Sequence, residues 1–505
     1  MKRTTLTLLL LSGLIQVQTA QAQAVTRGGV LQLAVDQSPV GLDPHIATAF
    51  STFAVTQQVY EGLMTTDANL KLRPLLATKY TRSDDGLKYV FTLRPGVTFH
   101  NGDPLTSADV VFSMDRVKDP KTASPLASRL SSVKDIQASG PLEVTFLLSK
   151  PFAPFLDEVA SIDIVDRRYV TGGGDMQRKP VGTGPFVFKA WIPDTSVQLE
   201  RNPKYWAKTQ PYLDGLKFNI VPDASTRQLG LQSGTYQMLP NIDPSVATIL
   251  KAAPQVQLLK SQDLSYTLLG MNTSRKPFND PRVREALNYA VNRPELVQAV
   301  YFGDAQPGGP VPPAIRSFAT PVGSFPCYSS NAAKARDLLK QAGYPDGLNF
   351  NILTFSTIKT VSDTAQVLQA QLAKAGFNAK IDVQEFGSFV QNWRNSNFDA
   401  FVSLNGGSVD PDGQLYRTVV SGGSTNVFKY ANPSVDALLE QGRTATSAAQ
   451  RLRVYAQLQS TLACRGPAAF LAYGTLYTAV SSKVNGFVPN PTRSLSGLKT
   501  TWVRH

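Results

Sequence analysis

The chain has 505 residues, 42% of them hydrophobic and 17% charged, and its 50 Lys and Arg outnumber 37 Asp and Glu for a formal net charge of +13. That length exceeds what one hydrophobic core usually supports and predicts two or three lobes. The basic excess is dispersed, with no pure run in the mature chain longer than two residues, as at Arg167-Arg168, so a nucleic-acid footprint, which would be clustered, is excluded as a leading function.

At the N-terminus, Lys2 and Arg3 precede an apolar run from Leu6 to Ile15 and small residues at Ala20, Ala22 and Ala24. This pattern predicts a secretory signal peptide over residues 1–24, cleaved after Ala22 or Ala24. Its apolar core is too short to remain as a membrane-spanning helix of about 20 residues. No cysteine lies near the junction, so a lipid anchor is not expected, and an exported, soluble protein of a Gram-negative periplasm is. Loss of Lys2 and Arg3 lowers the charge from +13 to +11.

The stretch LRPGVTFHNGDPLTSADVVFS at 93–113 reads as strand end, two turns and helix. Pro95-Gly96 and Asn101-Gly102 are turn dipeptides, and Thr106 with Asp109 forms a capping box ahead of Val110, Val111, Met114 and Val117 at helical spacing. His100, in the turn, is expected to face solvent or to cap. Further on, Asp280 caps and Pro281 opens a helix whose apolar face is Val283, Leu287, Ala290 and Val291, with Arg282, Arg284 and Glu285 on the exposed side. AQPGGPVPP at 305–313 predicts an ordered crossing loop. A helix over Val361–Ala375 buries Ala365, Leu368 and Leu372 and stops at Gly376, after which Phe377, Ala379, Ile381 and Val383 alternate as a strand. Helices and strands alternate throughout, which predicts an α/β protein.

Catalytic signatures are absent: there is no GxSxG elbow, Walker loop, HExxH or GxGxxG after a strand. The expectation is therefore a protein that is not an enzyme, with no catalytic residues and no cofactor. His45, His100 and His505 give no pair at metal-ligand spacing, so no metal site is expected. Asp410 and Asp412 in DPDG are turn chemistry before they are acid–base chemistry. Cys327 and Cys464 are the only cysteines. In an oxidising compartment they permit one disulfide, the alternative being two buried free thiols.

Segments in a fixed order carry a resemblance over nearly the whole mature chain. They are VYEGLMTTD (59–67), LRPLLATKYTRSDDGLKYVFTLRPGV (72–97) running into the 93–113 block, PVGTGPFVFKAW (180–191), RNPKYW (201–206), MNTSRKPFNDPRVREALNYAVNR (271–293), KARDLLKQAGYPDG ending at Gly347, and DPDG (410–413). Together they resemble the family 5 extracellular solute-binding proteins, the peptide-binding receptors of ABC importers. The resemblance implies a periplasmic binding protein type II fold, two lobes joined by a two-segment hinge, with an additional inserted domain. Lobe one would comprise residues 25–59, 180–264 and 480–505, the inserted domain 60–179, and the second ligand-binding lobe 265–479. The inserted domain, which holds the 93–113 block, would make little contact with the ligand.

By the same resemblance, a small-molecule or peptide ligand is held between lobe one and the second lobe, and the monomeric receptor delivers it to ABC importer permease subunits in the inner membrane. The cleft candidates are Thr48, Phe50 and Thr52, unless Ser51 and Thr52 merely cap a helix; Asn272, unless it sits in a solvent turn; and Trp393, unless it is core. The stretch SLNGGSVDPDGQLY (403–416) adds Asn405, Gly406, Gly407, Ser408 and Asp410. Peptide binders of the family carry, three residues before the Asp-Pro pair, an aspartate that grips the free α-amino group. Here that position is Gly407, and glutathione-binding relatives resemble the chain more closely around DPDGQLY. Free dipeptides are expected to bind weakly unless another acidic residue reaches the cleft. Alternatives are a non-peptide solute (oligosaccharide, opine or metal chelate) or a sensor role, and a hydrolase is disfavoured.

Overall fold

The computed structural model describes residues 25–47, 49–356 and 358–504; the expected signal peptide (1–24) and the candidate Thr48 lie outside the described residues. A single 11-stranded sheet runs through most of the chain. From one edge its order is Phe377–Gln384, Leu348–Phe355, Ala400–Asn405, Val256–Met271, Ala468–Ser481, Met238–Ile242, Val30–Val35, Gly215–Ile220, Ser196–Arg201 and Phe186–Ile192, with Ala305–Pro307 also paired to Ala468–Ser481. A separate four-stranded antiparallel sheet is built from Ala77–Arg82, Lys88–Leu93, Glu143–Leu148 and Val133–Gly140.

The two central strands explain how one sheet serves two lobes. Val256–Met271 and Ala468–Ser481 pair antiparallel from Val256 opposite Ser481 to Gln262 opposite Thr475, slip in register, and resume from Tyr266 opposite Tyr473 to Gly270 opposite Ala468. On the near side of the slip the sheet continues to Met238–Ile242, on the far side to Ala400–Asn405. Burial changes at the same place: the first half of Val256–Met271 is only partly covered, whereas every residue from Asp263 onward is buried. A strand enclosed on both faces reads as a continuous apolar run, as Leu268-Leu269-Gly270-Met271 does. The unpaired stretch Asp263–Ser265 is a bulge, a feature that bends a strand and raises its local twist.

Apolar side chains divide into three large clusters. One, with Leu268, Leu287, Leu368 and Tyr473, fills the half of the chain after Leu264. A second, centred on Phe91, Phe146 and Phe155, lies under the four-stranded sheet, with Phe146 and Phe155 edge-to-face at 5.4 Å. The third joins Leu31, Phe186 and Phe218 to Leu495 and Leu498 of the C-terminal tail.

Local signals work where their partners are close in sequence. Helix Ser107–Lys118 opens with Thr106 N–H donating to Asp109 Oδ2 at 2.9 Å, and buries Val110, Met114 and Val117. Helix Pro281–Ala290 opens with Arg282 N–H donating to Asp280 at 2.8 Å. The structure corrects one position there: Arg284, expected outside, is buried and donates to the carbonyls of Phe278 (2.7 Å) and Arg465 (2.9 Å). A guanidinium, with donors in a fixed fork, reaches both carbonyls at once. Helix Lys359–Ala373 ends before Gly376, whose φ of +88° suits a residue without Cβ. A disulfide joins Cys327, in the short turn Pro326–Tyr328, to Cys464 near the end of helix Ala448–Arg465. No helix among the described residues is long and apolar enough to cross a membrane.

Candidate functional site

Several of the recognisable sequence segments meet at one buried carboxylate. Glu61, in VYEGLMTTD, accepts from the Tyr205 hydroxyl at 2.7 Å, from Trp206 Nε1 at 3.0 Å and from Thr183 Oγ1 at 3.0 Å. Arg94 stacks its guanidinium 4.0 Å from the Trp206 ring. Burial pushes the Glu61 carboxyl up, against the lowering effect of its three donors. His100 belongs to the same knot, contrary to the expectation of a solvent-facing or capping residue: Nε2 donates to the Gly184 carbonyl at 3.0 Å and Nδ1 accepts from Gly182 N–H. Its burial lowers the imidazole pKa to about 4. The glycines of GTGPF have a steric reason, since a Cβ at Gly182 would stand 2.1 Å from the Val59 carbonyl oxygen and one at Gly184 2.5 Å from that of Gln58.

Beside this knot opens a cavity of about 670 Å³. Its walls come from helix Phe50–Val59 and the segment to Thr66, from 240–242, from the bulge 263–265, from 406–410, from the tail 491–499, and from 126–163. The last set comes from the stretch expected to make little contact with the ligand, and its Arg129, Asp157 and Glu158 form one wall. That wall also touches the opposite side directly. Ala153 N–H donates to the Arg443 carbonyl at 2.7 Å, and Lys150 pairs with Glu440 at 3.1 Å. Arg443 itself stacks 3.6 Å from the Tyr416 ring centre and lies 3.2 Å from Asp412. Burial nonetheless pushes the Asp412 carboxyl up to about 7.

Most carboxylates of the cavity wall are already engaged. Glu158 pairs with Arg129 at 2.6 Å, and Asp263 accepts from Arg493 Nη2 at 2.5 Å and from Ser265 N–H at 2.9 Å. Asp410 takes both terminal nitrogens of Arg451 at 2.6 Å each and accepts from Asp412 N–H at 2.8 Å, capping helix Pro411–Val419. Such a bidentate, buried pair fixes geometry. Among the described residues Asp157 and Asp163 have no ion-pair partner, and burial holds each at about 7, with Asp410 adding to the effect on Asp157 and Glu61 to that on Asp163.

Phe50, Gly406, Gly407, Ser408 and Asp410 are brought together on the cavity wall; Thr52, Asn272, Trp393 and Asn405 are not. Thr52 is fully buried inside helix Phe50–Val59, where its Oγ1 accepts from Val40 N–H at 3.3 Å, and it caps nothing. The Asn272 amide is spent on structure, donating to the Ser396 carbonyl at 3.0 Å and accepting from Ser274 N–H and Oγ. Trp393 packs edge-on against Phe401 at 6.5 Å with the core of its lobe. Asn405 ends its strand opposite Tyr266. Reasoning from sequence missed Asp157, Arg129 and the tail around Arg493, whose guanidinium lies 5.3 Å from the Phe50 ring. Arg493 adopts φ +65°, a constraint with no local sequence signal. Among the described residues no group of three or more His, Cys, Asp or Glu is placed to hold a metal ion.

The family model described as bacterial extracellular solute-binding proteins, family 5 Middle, matches residues 71–426. The chain belongs to this family. It is 30% identical to the glutathione-binding protein GsiB of Escherichia coli strain K12 over 478 residues, which is 90% of this chain and 91% of GsiB. It resembles the solved oligopeptide-binding protein AppA of Bacillus subtilis in complex with a nonapeptide (26% identity, TM-score 0.81, 95% of this chain and 100% of that one). It also resembles the periplasmic binding protein DppA of Helicobacter pylori in complex with the peptide STSA (29% identity, TM-score 0.81, 95% and 99%). The fold is the type II periplasmic binding protein fold. Against the family pattern the loop at 406–410 has a physical explanation for its glycine: a Cβ on Gly407 would stand 2.0 Å from the Leu264 carbonyl oxygen in the bulge. No side chain fits there unless the backbone moves.

Proposed function

We propose that the chain is the periplasmic receptor of an ABC importer, capturing a small peptide-like polar solute in this cleft and delivering it to permease subunits in the inner membrane, without covalent chemistry. The observation that carries the reading is the cavity astride the two crossing strands, walled from every lobe and lined by both charges and apolar groups, as ligand pockets are. The names of GsiB, AppA and DppA support peptide-like chemistry. The lobes are residues 25–59, 180–264 and 480–505, then 60–179, then 265–479, hinged where the crossing strands slip, and residues 1–24 direct export. Closure on the solute needs only a difference in affinity between open and closed forms. The test is mass spectrometry of solute carried through purification and released by denaturation, with an intact peptide-like solute expected. An oligosaccharide, opine or metal chelate would replace the ligand class, and conversion of a peptide mixture into products would overturn the receptor reading.

A further inference from the structure

We propose that Asp157, on the short helix Phe155–Ala160 of the inserted domain, anchors a cationic group of the captured solute, taking the task for which position 407 has no side chain. The inference rests on the receptor reading and names the chemistry its ligand carries: an ammonium group, such as the free amino end of a peptide.

The argument begins with which charges are spent. Around Asp157 stand Glu158 on its own helix and Asp410 and Arg451 on the facing lobe, with Asp412 and Arg443 next to those two. Glu158 is held by Arg129, Asp410 by Arg451 and Asp412 by Arg443. Every cation within that group already has a carboxylate. Asp157 lines the cavity and has none. A carboxylate removed from water with no partner takes up a proton or a cation from outside. Asp36 and Asp163 also line the cavity without an ion pair; Asp36 is exposed to water, and the surroundings of Asp163 differ. Asp163 adjoins Glu61, and its own backbone carbonyl accepts from His45 Nε2 at 2.8 Å, so it sits where the cavity meets the knot, beside a second carboxylate.

Position supports the same assignment. Asp157 faces the 406–410 loop across the cavity, so a cation seated on it touches both the inserted domain and the second lobe, the two bodies already joined by the contact of Ala153 with Arg443. A group bound there strengthens closure as well as occupancy. Burial holds the empty carboxyl at about 7, so below that pH an incoming ammonium must displace a proton. An α-amino group, with its ordinary value near 8, stays charged over the same range.

The experiment offers the ligand-stripped mature protein a casein hydrolysate, one half untreated and one half acetylated to neutralise its amines. Captured peptides are then quantified by mass spectrometry at pH 7.5 and pH 5.5. Wild type is expected to capture peptides from the untreated half, to retain from the acetylated half only those containing arginine, and to lose about tenfold or more of its affinity at pH 5.5. Asp157→Asn is expected to lose about tenfold at pH 7.5 and to have no pH dependence of its own between the two values. If that variant fails to fold, the acetylation and pH arms on wild type still decide. Equal capture from the two halves, affinity unchanged between the pH values, or a folded Asp157→Asn within about twofold of wild type would overturn the anchor while leaving the receptor intact. Capture from neither half by wild type would instead defeat the peptide-receptor reading, and the anchor with it.

Discussion

Glu61, buried, and Asp157, half-buried, are carboxylates beside the same cavity, and their surroundings are opposite. Glu61 takes three donors from two separate segments of the chain, Thr183 from one and Tyr205 with Trp206 from the other. Asp157 has no ion-pair partner among the described residues. Protein interiors almost always satisfy their polar groups, so the fully engaged Glu61 reports structure, whereas the half-buried Asp157, lining open space without an ion pair, is free to meet a solute. Several of the segments that make the chain recognisable converge on Glu61, which ties residues 59–67 to Thr183 and to Tyr205 and Trp206. The residues proposed to bear on the ligand lie around Asp157 and Gly407, outside that knot.

The comparison breaks most visibly if Glu61 is dispensable. Glu61→Ala strands the Tyr205, Trp206 and Thr183 donors in the interior and is expected to cost about 3–5 kcal/mol of stability. Urea unfolding monitored by circular dichroism checks it. A loss below about 1 kcal/mol would mean that the knot is decoration.

A second test separates the two regions by the sign of their pH dependence. His100 is held neutral, with a folded value of about 4 below its unfolded value near 6.5. Its contribution is therefore full above pH 6.5 and is lost as pH falls toward 4; His45, also lowered to about 4, has the same sign. Asp157 is raised to about 7 above an unfolded value near 3.9. The unfolded chain releases that proton first, so stability is lost as pH rises from 4 to 7. Urea midpoints of the ligand-free protein at pH 5 and pH 7.5 should show His100→Gln removing an acid-side loss of about 2 kcal/mol. Asp157→Asn should remove an alkaline-side loss of similar size. Slopes of the same sign would erase the distinction.

What could be read from the sequence follows the same division. The Thr106–Asp109 box and the Asp280–Pro281 helix start are legible because donor and acceptor lie within one turn of each other. The knot was legible only as a list of segments: His100 meets Gly184 across 84 positions and Glu61 meets Trp206 across 145. Neither distance leaves a periodic trace. Asn272 and Trp393 misled because a polar end of a strand and an amphipathic aromatic fit both a cleft and a lobe interior, and packing chose the interior. Asp157 gave no signal because its significance lies in what does not surround it.

The smallest test needs only two adjacent glycines. Tyr266 pairs with Asn405, and the same register carried past the strand end sets Leu264 opposite Gly407, which is where the two backbones crowd. The crowding therefore arises between the bulge and the loop that continues its paired strand. Gly407→Ala must displace either the loop or Asp263–Ser265, and Asp263 is the partner of Arg493. The expected cost is about 1–3 kcal/mol, as for other overpacked positions. Gly406→Ala meets nothing within 4 Å of its new Cβ and should change stability by less than about 0.5 kcal/mol. Thermal melts of the two variants side by side check the difference. Equal melting temperatures would show that the loop yields freely, and a carboxylate introduced by Gly407→Asp would then be tolerated beside the hinge; a selective loss at 407 makes the missing side chain a consequence of how the hinge is built.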